Sequence, residues 1–235
     1  MQFIDTCTNI VQIMLPQNCL LCGNHCGADA LCDGCRDDLP YHTAACCPVC
    51  AMPSPNAEIC GSCTRHPPHF DATTSVFSYA FPIDALLQGL KYGDRLTIAG
   101  LAAKFLARHT GENPLPDLLV PMPMHPARLR QRGFNQAAEI ARAVARENGV
   151  PLTLDAVARI RETEPQASLP LARRKRNMRK AFTCTGNMSG KRVALLDDVM
   201  TSGASLDELA KTLKKAGASR VECWVVARTL RGNTP

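Results

Sequence analysis

The sequence predicts an α/β domain, a mainly parallel sheet flanked by helices, carried behind a small cysteine-rich module. Three observations predict it. From residue 73 onward short apolar runs alternate with helical apolar rhythms, the pattern of a parallel sheet covered by helices. Residues 193–216 read apolar run, two adjacent carboxylates, hydroxyl-and-glycine turn, then helix formers, which is a strand passing through a ligand loop into a helix. Before residue 64 the chain carries 11 of its 13 cysteines, most of them paired at metal-ligand spacing.

Length and composition bound the rest. At 235 residues and 25.5 kDa the chain holds one α/β domain and a small appendage. A hydrophobic content of 46% is ordinary for a soluble globular protein. No run approaches the roughly 18 apolar residues that argue for a membrane span. The stretch from Phe3 to Leu15 carries Asp5 and no basic residue, so it is a poor signal peptide and a better short amphipathic helix. A cytoplasmic protein is expected. Residues 1–18 are assigned to that helix, 19–66 to the cysteine module and 70–235 to the α/β domain.

The cysteines form four pairs, Cys19-x-x-Cys22, Cys32-x-x-Cys35, Cys47-x-x-Cys50 and Cys60-x-x-Cys63. Each spacing is that of a knuckle whose turn aims two thiolates at one ion. Nine residues separate Cys22 from Cys32, and nine separate Cys50 from Cys60. This internal repeat predicts two successive zinc ribbons, each with four sequential ligands. Disulfides and a redox dithiol are the alternatives, and a cytoplasmic setting disfavours the first. Cys46 could substitute for Cys47. Cys7, Cys26, Cys184 and Cys223 have no partner at metal spacing, and His66 and His69 fall in the linker. So few large apolar side chains precede residue 66 that the metal must supply most of this module's folding energy.

The α/β elements follow in order. Thr73 to Tyr79 is strand-like, and Ile83 to His109 carries a helical rhythm broken around Tyr92-Gly93-Asp94. Asp117 to Pro121 is a short buried strand, and Asn135 to Asn148 a helix closed by Gly149. Val193 to Asp198 is the next strand, Ser205 to Ala216 a helix closed by Gly217, and Val221 to Ala227 the last strand. Between Pro126 and Arg192 lie 15 Lys/Arg against 5 Asp/Glu, in a chain whose total is +6. The densest run is 172–180, and Arg128, Arg130 and Arg132 form a second. Such clusters are a solvated helix face, a nucleic-acid stripe or a polyphosphate site.

The ligand loop is the most specific feature. Thr201, Ser202, Gly203, Ala204 and Ser205 at a helix start can wrap a phosphate with N–H groups and hydroxyls. Asp197 and Asp198 would repel that phosphate, and suit a polyol or a metal beside it. A buried strand entering an ordinary helix capped by Thr201 or Ser202 is the plainer alternative, and it gives no reason for paired aspartates.

The stretch resembles the 5-phosphoribosyl-1-pyrophosphate (PRPP) motif of type I phosphoribosyltransferases. That resemblance implies a type I phosphoribosyltransferase fold, with Asp197 and Asp198 on the ribose hydroxyls and Val199 and Thr201 to Ser205 around the 5-phosphate. It implies Mg²⁺ with the pyrophosphate, a pyrophosphate loop at 121–126 with Arg128, a mobile loop within Gln166 to Arg179, and Arg132, Asn135 and Gln136 near the cleft. Asp197 or Asp198 would offset the positive charge that develops at C1 of the ribose.

Leu119-Val-Pro-Met-Pro-Met-His125, Arg132-Gly-Phe-Asn-Gln136, Gln166 with Leu169, and the run from Arg174 to Phe182 extend the resemblance to the competence protein F (ComF) family. So do Pro16 before the first knuckle and Cys47-Pro-Val-Cys50 in the second ribbon. The sequence departs from the family pattern at Met200, Ser202, Ser205 and Ala51, the last standing where a glycine is common. The resemblance implies a PRPP-binding phosphoribosyltransferase-like protein of unidentified acceptor, linked to the uptake or use of external DNA. Its partners would include single-stranded DNA and uptake machinery such as a helicase. Two other readings stay open: a zinc-ribbon nucleic-acid accessory protein, and a phosphoribosyltransferase fold kept as a non-catalytic sensor.

Overall fold

A computed structural model describes residues 18–26, 29–92, 96–111, 114–162 and 176–230. The expected N-terminal helix, to residue 17, and residues 166–175 of the expected mobile loop lie outside the described residues.

Four strands form one parallel sheet in the order β1 (Ala72–Ser78), β6 (Arg220–Arg228), β5 (Arg192–Met200), β2 (Leu118–Pro121). All of β2 and the run Val193 to Leu196 of β5 are buried, as strands covered on both faces must be. Helices α4 (Thr97–Thr110) and α6 (Gln136–Asn148) pack on each other, α4 against β1 and β6, α6 against β5 and β2. Helix α7 (Ala204–Lys215) covers β5 and β6 on the opposite face, where a right-handed β5–α7–β6 crossover places it. Beyond β2 the chain adds one more rung: Leu119 N–H donates to the Pro151 carbonyl at 2.8 Å, and Thr153 N–H to that of Leu119 at 3.1 Å.

Most expected elements appear within a residue or two. Helix α3 (Ile83–Tyr92) and α4 flank the expected break. Strand β5 runs past Asp198 to Met200, because Val199 and Met200 continue the ladder opposite Ala227 and Arg228. Helix α5 (Pro126–Arg132) and the antiparallel pair β3 (Val157–Arg159) and β4 (Phe182–Cys184) were not expected. They span seven and three residues, too few to show a hydrophobic period.

The cysteine module is built on the open edge of β1. Tyr41 pairs antiparallel with Phe77; His42 N–H donates to the Val76 carbonyl at 2.9 Å, and Ser78 N–H to that of Pro40 at 2.8 Å. Thr73 gives its N–H to the Pro48 carbonyl and its hydroxyl to that of Val49, at 3.1 and 2.6 Å. Leu31 and Leu39 bury against the core that holds Phe77, Leu86 and Leu87, and the rings of Tyr41, Phe77 and Phe105 pack edge to face or tilted at 5.1 to 6.2 Å. Module and sheet therefore share one core.

Candidate functional site

The crevice between the carboxyl ends of β5 and β2 is where the connections diverge. β5 continues through α7 to β6 on one side, and β2 through α6 to residues 151–153 on the other. Ligands of open α/β sheets bind at such a switch point. The β5 end contributes Asp197, Asp198 and the 201–205 loop. The β2 end contributes Met122 to Arg128. Asn135 ties the second loop down, its Nδ2 donating to the Met122 carbonyl at 3.0 Å while its Oδ1 caps α6 through Ala137 N–H at 3.1 Å. His125 caps α5 in the same way, Nδ1 accepting from Ala127 N–H at 3.3 Å.

In the 201–205 loop, Thr201 and Ser202 are exposed and Gly203 is buried. Gly203 has φ +75°, a conformation that favours glycine; a Cβ there would also meet Met200 Cε at 2.7 Å, a contact the flexible methionine end can relieve. Ser202 Oγ accepts from Ala204 N–H at 3.4 Å, a long capping contact that leaves the Ser202 hydroxyl proton available to an anion. Arg132 donates Nη1 to Gln136 Oε1 at 3.1 Å, and the buried Gln136 Nε2 has no hydrogen-bond acceptor among the described residues. Arg128 is half-buried on α5, within electrostatic reach of Arg159 on β3, which in turn senses Asp197.

Neighbouring strand residues point to opposite faces, so the two aspartates meet different surroundings. Asp198 is buried and its Oδ2 lies 2.7 Å from Lys91 Nζ at the end of α3. Burial works to raise its pKa, but the Lys91 ammonium and the Val199 N–H outweigh it and hold Asp198 below the usual carboxylate range. Burial and the Asp198 charge push Asp197 well above that range. The two aspartates are thus driven apart, Asp198 toward the charged form beside Lys91 and Asp197 toward the neutral form.

Each expected cysteine set converges. The sulfurs of Cys19, Cys22, Cys32 and Cys35 lie within 4.8 Å of one another, as do those of Cys47, Cys50, Cys60 and Cys63. Cys22 and Cys32 sulfurs are 3.7 Å apart, and so are those of Cys50 and Cys60. Tetrahedral zinc with Zn–S bonds of about 2.3 Å sets sulfurs about 3.8 Å apart, so both tetrads fit structural zinc, in the sequential pairing. Cys32 and Cys60 stand at the N-caps of two helical turns, α1 (Asp33–Asp37) and α2 (Gly61–Arg65).

In each tetrad one thiol ionises first. Burial opposes it at Cys19, yet N–H groups of Cys22, Cys32 and Leu21 bring that thiol down to about 6, while sharing a proton with Cys22 and Cys32 lifts Cys35 to about 12. Burial is likewise outweighed at Cys60, which falls to about 7, whereas burial lifts Cys50 to about 11. Four thiolates at one point thus require a cation. Gly23 and Ala51 occupy equivalent knuckle positions, with φ +76° and +55°, so the alanine noted in the sequence adopts the glycine conformation.

Cys46 stands outside both tetrads, bridged to Pro53. His66 ligates in neither. His69 does more than link: its N–H and Nδ1 lie 2.7 and 2.8 Å from Asp207 Oδ1 in the first turn of α7. Three charged residues at the crevice were not anticipated: Lys91, Arg159 and Arg228. The last ends a strand of buried residues, and a charge at the carboxyl end of a buried parallel strand is a signal that could have found it. Among the described residues no helix is long and apolar enough to cross a membrane.

Comparison with known proteins agrees with both halves. Residues 10–64 match the double zinc ribbon domain family and residues 130–235 the phosphoribosyl transferase domain family. The chain is 34% identical to DNA utilization protein YhgH of Escherichia coli over 191 residues, covering 78% of this chain and 84% of that one. It is 30% identical to Competence protein F of Haemophilus influenzae over 225 residues, covering 89% and 96%, and 28% identical to Competence protein ComFC of Bacillus subtilis over 240 residues, covering 90% and 95%. Among solved structures, the glutamine PRPP amidotransferase of B. subtilis is similar at 20% identity and a TM-score of 0.37, over 54% of this chain and 25% of that one. By its identity to relatives covered over most of their length, and by the domain families matched in its two halves, the chain belongs to the competence protein F (ComF) family, a double zinc ribbon joined to a phosphoribosyltransferase domain.

Proposed function

We propose that the chain binds PRPP with Mg²⁺ in the crevice between β5 and β2, as a phosphoribosyltransferase-like protein serving DNA uptake or use. One observation carries the reading: an acid pair and an anion loop follow each other at the end of one strand, at the switch point of the sheet. The ribose hydroxyls donate to Asp197 and Asp198. Val199 and Thr201 to Ser205 surround the 5-phosphate with N–H groups and hydroxyls. Arg128 and Arg132 neutralise the pyrophosphate, the charge that grows when the C1–O bond breaks. Magnesium, when bound with the ligand, supplies further neutralisation of the pyrophosphate.

The names of the relatives support a role in DNA utilisation or competence, and the basic 172–180 run with two zinc ribbons suits single-stranded DNA or a helicase-like partner. A second reading, a sensor that binds PRPP without turnover, is favoured by the Lys91–Asp198 ion pair, which already occupies half of the acid pair. Calorimetric titration with Mg-PRPP tests the common part. Saturable binding that Asp197→Asn and Asp198→Asn each weaken by about tenfold or more is expected, and no binding by the zinc-loaded protein would sink the proposal. Turnover with a panel of bases then separates transferase from sensor.

A further inference from the structure

Arg228, at the end of β6, is 5% exposed, and its guanidinium joins the two halves of the molecule. Nη1 donates to the carbonyl oxygens of Met200 at 2.7 Å, Thr229 at 3.0 Å, and Thr201. Nε donates to the carbonyl oxygen of Cys50 at 2.9 Å. Met200 and Thr201 lead into the anion loop, and Cys50 belongs to the second thiolate tetrad. The same knuckle is fixed to β1 through the Thr73 contacts with Pro48 and Val49.

A loop that binds phosphate must present N–H groups and keep its carbonyl oxygens away, since those would repel the anion. Arg228 gathers the carbonyls at the foot of the loop and adds positive charge beneath it. A divalent ion held by four thiolates leaves a net charge of about −2, so the filled second tetrad offers the buried guanidinium a counter-charge beside Cys50. With the tetrad emptied, no metal fixes the Cys47–Cys50 knuckle or the Cys50 carbonyl that Arg228 Nε holds.

We propose that Arg228 is a positioning residue that couples metal in the second tetrad to phosphate binding at Thr201 to Ser205, so that losing that metal weakens the ligand. The coupling rests on the ligand proposed above. In the full-length zinc-loaded protein, Cys60→Ser opens the second tetrad and weakens Mg-PRPP by about tenfold or more, while Cys22→Ser, which opens the first, has far less effect. Equal weakening by both, or by neither, overturns the coupling.

By reciprocity, saturating Mg-PRPP raises the concentration of a chromogenic chelator needed to withdraw one zinc equivalent at equilibrium, and Arg228→Met abolishes the protection. Should Cys60→Ser fail to fold, Arg228→Met carries the test. It is expected to keep two zinc ions and the near-ultraviolet signal of Trp224 while losing ligand affinity and chelator protection. Arg228→Lys, with one nitrogen for two attachments, is expected to restore little. Wild-type affinity in Arg228→Met refutes the proposal. If the wild type binds no Mg-PRPP, the ligand reading fails by itself, and amide hydrogen exchange decides the coupling. Faster exchange at residues 201–205 after withdrawal of the second zinc supports it, and unchanged exchange overturns it.

Discussion

Replacing Lys91 by methionine keeps the length and apolar stem of the side chain and removes the ammonium 2.7 Å from Asp198. Two adjacent carboxylates are then left in one site. In the wild type Asp198 lies below its ordinary pKa, so its contribution to stability is present above the unfolded value of about 3.9 and is lost as pH falls through the folded one. In the variant the loss of the ammonium leaves burial to push Asp198 upward, so its contribution is present below about 3.9 and is lost as pH rises. The difference between the proteins must therefore widen from pH 5 to pH 8.

Breaking a buried ion pair from one side costs about 3–5 kcal/mol, and an exposed pair about 0–1. With side chains 26% and 12% exposed, the pair falls between, at about 2–3 kcal/mol at pH 8. That lowers Tm by about 5–10 °C in a domain of this size. Urea unfolding followed by the fluorescence of Trp224, the single tryptophan, measures it with zinc present. A loss equal at pH 5 and pH 8, or smaller than about 0.5 kcal/mol at pH 8, would refute the ion-pair argument. Adding Asp198→Asn to Lys91→Met should recover most of the loss.

Three further outcomes are expected. Asp197 has a raised folded pKa, so its contribution to stability is lost as pH rises; Asp197→Asn should raise Tm by about 2–4 °C at pH 8 while weakening Mg-PRPP, a pairing readable by calorimetry alone. Gly203→Ala puts a Cβ at φ +75° and 2.7 Å from Met200 Cε, and should lose about 1–2 kcal/mol in urea unfolding and most ligand affinity. Zinc should leave both tetrads more readily at pH 6 than at pH 8, since the thiolates must be deprotonated to bind; a pH-independent release rate would contradict tetrathiolate ligation.

The acid pair, the turn at 201–205 and both tetrads were legible because each is local: a strand end with its turn, or cysteines two residues apart. Gly203 was legible for the same reason, since a tight turn is written in a few consecutive residues. Lys91 and Arg228 were not. Lys91 ends a leucine-rich helix more than a hundred positions from Asp198, and no periodicity says which carboxylate an ammonium will meet. Arg228 reaches across 178 positions to Cys50, a contact created by docking the module on β1. The β3–β4 pair escaped notice because three-residue strands carry no alternation to count.

The cover that Pro40 to His42 gives to β1 decides how this chain can be divided. A fragment beginning at Phe70 would expose the Val76 carbonyl and the Ser78 N–H, now paired with His42 and Pro40, along with the face of Phe77 that Tyr41 shields. An uncovered strand of that kind recruits strands from other molecules. The transferase half prepared by itself should therefore tend to clump, and activity missing from it would report its solubility, not its chemistry. The two halves have to be inherited, expressed and mutated as a unit.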